Sequence, residues 1–155
     1  MKDRKTKTFI FKGLGFPIKL IDVPMKKMIG EWVADIDWTE LQLVVLKYLT
    51  YKLTPLTKEE LRFIRKFLYK TTTDFGNLFG VTHSAVSQWE NGKRKLSPAI
   101  EFLIRLHALD HLHLIEKEFG SFYKEVNVKM LSNPETKKAK IIEVNASEKD
   151  LKIAI

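Results

Sequence analysis

Residues 71–95 read TTTDFGNLFGVTHSAVSQWENGKRK, and this stretch decides how the whole chain is read. Asp74–Phe79 reads as a short helix with Phe75 and Leu78 turned inward. The threonines before it compete with the backbone for hydrogen bonds and favour a cap over a helix interior. Gly80 takes positive φ at little steric cost and ends that helix in a tight turn. Val81 is an apolar plug. Thr82 caps a second short helix, His83–Glu90, with Val86 and Trp89 inward. Asn91-Gly92 is a strong turn signal, and Lys93-Arg94-Lys95 follows it directly.

Two short helices joined by a tight turn containing glycine form a helix-turn-helix unit. The unit needs a small residue where the helices cross, and Gly76 supplies it. It needs apolar residues to hold the second helix against the first, and Val81 and Val86 supply them. If the second helix is to enter a major groove, its outward residues must be polar and short. His83, Ser84, Ser87 and Gln88 meet that condition.

Upstream, Thr57-Lys58-Glu59-Glu60 has capping-box spacing, and Leu61, Ile64 and Leu68 give the helix behind it a buried stripe. Before Pro55, Trp38–Lys52 carries Leu41, Val44, Val45, Tyr48 and Leu49 at helical spacing, with Asp37 as N-cap and Glu40 three residues on. Thr8–Met25 reads as two short strands around a glycine turn, and Trp32-Val33-Ala34 as a third. Downstream, Ser97-Pro98 starts a helix with Ile100, Leu103, Ile104 and Ala108 along one stripe, continuing to about Glu118. Val126–Met130 alternates, Ser132-Asn133-Pro134 is a turn, and Lys140–Val144 is β-prone. A small hairpin or a paired C-terminal strand is expected there, with a frayed tail over Ser147–Ile155. The expected fold is mainly α. A helix-turn-helix domain at 55–112 lies between a β-containing N-terminal extension, 1–54, and a C-terminal extension, 113–155.

The chain has 155 residues, 45% of them apolar, which suits one domain or a small domain with extensions. It has no cysteine, which excludes disulfides, thiolate metal sites and cysteine nucleophiles and agrees with a reducing compartment. No apolar run suits a signal-peptide core or a membrane span. A cytoplasmic protein without membrane contact is expected. Lys and Arg number 27 against 19 acids, a net charge of +8. Two blocks hold the surplus: Met1–Lys27, with eight basic and two acidic residues, and Lys58–Ser97, with eight and four. Such a surplus points to a polyanionic partner.

No nucleophile elbow, phosphate loop or His-Glu-x-x-His pattern is present. His107 and His111 have metal-compatible spacing on a helix, with His113 beyond, but no third clear ligand joins them, so they read as surface or packed residues. Asp35/Asp37 and Glu59/Glu60 are accounted for by capping. The expectation is therefore no enzyme, no metal and no cofactor.

Phe79–Lys93 carries a resemblance. With it, Leu61–Leu106 resembles the five-helix DNA-binding domain of phage-repressor and Xre-type regulators, over about a third of the chain. The resemblance implies that His83–Glu90 is a recognition helix with His83, Ser84, Ser87 and Gln88 at base edges. It implies that Thr72, Lys93, Arg94 and Lys95 meet phosphate, and that Arg65 and Glu90 form a structural ion pair. Lys70 stands where relatives carry an apolar residue. The implied function is a sequence-specific transcriptional regulator, a dimeric repressor on a palindromic operator in double-stranded DNA. A looser resemblance of layout, Gly13-Leu14, the Asp35–Leu49 helix and then Leu56–Arg65, is to MqsA-type antitoxin regulators, whose zinc-binding cysteines are absent here. It implies the alternative of an antitoxin that neutralises a toxin protein and represses its own operon.

Overall fold

A computed structural model describes residues 5–112, 126, 140–147 and 150–154. In chain order the elements are β1 (Thr6–Phe11), β2 (Ile18–Met28), β3 (Glu31–Ala34), α1 (Trp38–Tyr51), α2 (Lys58–Phe67), α3 (Thr72–Phe79), α4 (His83–Glu90), α5 (Pro98–His111), β4 (Ile142–Asn145) and β5 (Lys152–Ile153). They fall into two compact units, residues 1–45 with 140–155 and residues 46–139, the division lying within α1.

The first unit is built on β2. Its early residues pair antiparallel with β1, from Phe11 opposite Ile18 to Thr6 opposite Pro24. Ile18–Ile21 also pair, in parallel, with β4. Met25–Met28 pair antiparallel with β3, and β5 adds to β4. Ile18, Leu20 and Val23 are buried, as are Ile142 and Val144 on β4, so one side of the pleat is apolar. A bulge places Asp22 at φ 53°, where its amide donates to the Thr8 hydroxyl at 3.1 Å. The β2–β3 hairpin turns through Ile29 and Gly30, both at positive φ (47° and 81°). That geometry matches the right-handed twist of the strands it joins. The Trp38 ring lies 4.8 Å from Phe11, and the Leu151 amide donates to Glu40 at 3.3 Å.

The expectation of a mainly α chain with small β extensions is corrected by this sheet. Five strands form a mixed sheet that organises a whole unit. Local reading treats Gly and Pro as breaks, yet β2 runs through Pro24, whose carbonyl accepts from the Asp35 amide at 2.7 Å. The expected frayed tail over Ser147–Ile155 is corrected in its described part: β5 (Lys152–Ile153) pairs with β4, and the Ala154 amide donates to Glu143 at 2.8 Å. The expected helix beyond Leu112, the alternation after Val126 and the Ser132–Pro134 turn lie outside the described residues.

In the second unit Leu49, Leu61, Ile64, Phe75, Val86, Ile104 and Ala108 are buried together with Leu46 and Leu109. Two expected core residues face outward instead: Leu78 is 43% exposed and Leu103 45%. Thr71 is the N-cap of α3, its side chain accepting from the Asp74 amide at 3.1 Å, so the helix starts two residues earlier than its apolar pattern. Thr57 and Glu60 form the expected capping box on α2. His107 and His111 pack edge-on against Phe79 and Phe67.

A buried charge cluster that the sequence pattern does not announce ties the segment after α1 to α2 and α5. Lys52 Nζ lies 2.7 Å from Glu60 and donates to the Pro55 carbonyl at 3.2 Å. Arg105, fully buried, donates to the carbonyls of Thr50, Lys52 and Thr54 and to Glu101. Carbonyls at a helix end have no partner within the helix, and Arg105 supplies one. Glu101 in turn accepts from the Leu56 amide at 2.6 Å. Burial pushes the Glu101 carboxyl above its ordinary range, against the opposing pull of Arg105, the Leu56 amide and Lys52. Burial likewise lowers Arg105 from its ordinary value, against the pull of Glu101 and Glu60.

Candidate nucleic-acid interface

The helix pair α3–α4 is held close by the absence of a side chain at Gly76. A Cβ there would lie 2.6 Å from the Val81 carbonyl oxygen, well inside contact distance. The Val81 amide donates to the Gly76 carbonyl at 2.9 Å, and Gly80 between them is left-handed at φ 68°. The Thr82 side chain accepts from the Ala85 amide at 3.1 Å and fixes the start of α4. Caps of this kind contribute about 0.5–2 kcal/mol.

Within α4, Ala85, Val86, Trp89 and Glu90 are buried. His83, Ser84 and Gln88 are exposed, and Ser87 is half-buried beside the Asn91 amide nitrogen at 3.4 Å. The four residues named as base contacts thus share the outer side of one helix. Thr72, named as a phosphate contact, is half-buried in the first turn of α3. Past the end of α4 the backbone folds back, and the amides of Lys93 and Arg94 donate to the Gln88 carbonyl at 2.9 and 3.2 Å. Lys93, Arg94 and Lys95 are exposed. From Phe75 to Ser97 the one acidic residue is Glu90.

That carboxylate is turned inward and paired. Arg65 reaches Glu90 with Nη2 at 2.9 Å and with Nε at 3.0 and 3.2 Å, and its Nη1 donates to the Lys70 carbonyl at 2.9 Å. One guanidinium therefore joins α2, the last turn of α4 and the α2–α3 connection. The Lys70 amide donates back to the Arg65 carbonyl at 3.2 Å, so this corner is held by backbone bonds where the sequence offers no apolar residue. Arg62 adds a bond to the Glu90 carbonyl at 3.0 Å. Arg62 and Arg65 are three residues apart on α2, a spacing that puts both on one face. The Lys58 side chain lies along the turn at Gly92.

No family model matches the chain, and no curated protein and no solved structure matches it. Among the described residues no helix is long and apolar enough to cross a membrane, and no cluster of three or more His, Asp or Glu could hold a metal ion.

Proposed function

We propose that the chain is a sequence-specific DNA-binding transcriptional regulator acting through α4. The observation that carries this reading is the outer surface of α4 with the segment after it. Exposed His83, Ser84 and Gln88 are followed by three exposed cations, and the one carboxylate of that stretch is buried and neutralised by Arg65. A duplex offers that surface phosphates for its charge and base edges for its polar side chains. Gln88 has the chemistry to bond an adenine edge with both ends of its carboxamide. Arg94 and its neighbours neutralise phosphates and give the affinity its salt dependence. The resemblance to repressor-type helix-turn-helix regulators supports the same reading and adds a homodimer on a palindromic site.

Two substitutions separate these roles in a fluorescence-anisotropy titration. Gln88→Ala relaxes discrimination at one position of each half-site, by about 1–3 kcal/mol. Arg94→Ala weakens binding to all sequences alike and flattens the salt slope by about one unit. Identical effects from the two changes would contradict the assignment.

A further inference from the structure

Beside the last turn of α4 lies a groove of about 430 Å³. That is within the roughly 300–1,000 Å³ typical of small-molecule sites. Leu61, Trp89 and Leu96 give it an apolar lining, and Lys58, Arg94 and Lys95 stand along it as cations. Buried Glu101 also lines it, but that carboxylate is already engaged by the Leu56 amide at 2.6 Å and by Arg105 at 3.4 Å. Among the described residues the ion pair of Lys58 is a long, solvent-exposed contact with Glu59 at 3.9 Å. Arg94 and Lys95 form no ion pair among the described residues. The uncompensated charge of the groove is therefore positive, while much of its lining is apolar.

We propose that this groove binds an amphipathic organic anion and that its occupation releases DNA. A flat apolar body lies against Trp89, Leu61 and Leu96, and the acidic head is held by Lys58, Arg94 and Lys95. A bare phosphate would satisfy the cations and leave the apolar lining wet, so the composition favours a ligand with both parts. Release follows from shared residues. Arg94 and Lys95 cannot neutralise the ligand's head and a DNA phosphate together, and the amides of Lys93 and Arg94 tie this segment to the Gln88 carbonyl. The release half rests on the DNA-binding reading above; the binding half does not. For a ligand that excludes DNA, a concentration ten times its own Kd raises the apparent Kd for duplex about tenfold.

The test uses the full chain and 1-anilinonaphthalene-8-sulfonate, whose fluorescence is read on excitation of tryptophan. Saturable binding with one site per chain is expected. Lys58→Ala and Arg94→Ala each weaken it about two- to fivefold, the scale of an exposed ion pair, and Lys12→Ala leaves it unchanged. Inorganic phosphate at the same concentration does not displace the probe. Binding indifferent to Lys58 and Arg94, or lost to phosphate, would overturn the site. In anisotropy with duplex, the probe competes with DNA for the native chain and competes less well for Lys58→Ala. Probe binding at the groove with duplex affinity unchanged overturns the release. A chain that binds no duplex while its probe binding still depends on Lys58 and Arg94 upholds the site and refutes the DNA-binding reading instead.

Discussion

At Gly76 a single hydrogen replaces a side chain, and the approach of α3 to the turn before α4 depends on it. A methyl group would meet the Val81 carbonyl oxygen at 2.6 Å, with the Thr82 carbonyl carbon and oxygen at 3.3 Å. Backbone cannot swing aside as a flexible side chain can. Gly76→Ala is therefore expected to destabilise the chain by about 1–3 kcal/mol, the usual cost of overpacking, although alanine is the better helix former. Urea unfolding measures this, and an unchanged or raised midpoint would show that the helices are not in such close contact. Residue-scale features of this kind were legible in advance. Gly76, Gly80 and Thr82 act on neighbours a few residues away, so their chemistry is written locally. Leu78 and Leu103 show where local reading stops. Each has the hydropathy and spacing of a core residue, and each is exposed.

Among the elements, α2 and α4 are joined by Arg65 and Glu90, with the Glu90 side chain 5% exposed and that of Arg65 14%. Removing one partner of a buried pair strands the other without compensation, at about 3–5 kcal/mol. Arg62 remains within 3.7 Å of Glu90 and offsets part of that loss. Arg65→Met is thus expected to cost about 2–4 kcal/mol. Adding Glu90→Leu recovers part of the loss, because the stranded charge is gone. Denaturation of the two singles and the double decides the matter, and losses that simply add would mean the pair is not coupled. The helices were readable from caps and stripes; α1, α2 and α4 begin where Asp37, Thr57 and Thr82 place them. The strands were readable only as fragments. The parallel pairing of Ile18–Ile21 with Ile142–Asn145 joins segments far apart in the chain, and no local pattern encodes a partner at that distance.

At the scale of the whole molecule, the charge cluster around Arg105 makes stability depend on pH in an unusual direction. Glu101 keeps its proton above the ordinary value of 4.5 because burial outweighs its favourable neighbours. Just above that value the folded chain holds a proton that the unfolded chain has released. The contribution of this group is complete below pH 4.5 and is lost as pH rises through the raised value. Glu101→Gln removes the titration. The native-minus-variant difference in unfolding free energy should fall as pH climbs above 4.5, and a difference that grows would place the carboxyl below its ordinary range. This cluster was illegible in the sequence because Lys52, Glu60, Glu101 and Arg105 look like surface residues one at a time. Their role depends on carbonyls that α1 and the segment after it leave without partners. The polar face of α4, by contrast, was legible because helical periodicity sorts inward from outward residues within two turns. The claim that this face reads DNA is tested most directly by selecting bound sequences from a random duplex pool. The expected result is recovery of a two-fold symmetric site with half-sites about one helical turn apart, and loss of preference at one position per half-site with Gln88→Ala. A pool that emerges unenriched, or enriched identically with Gln88→Ala, would contradict it.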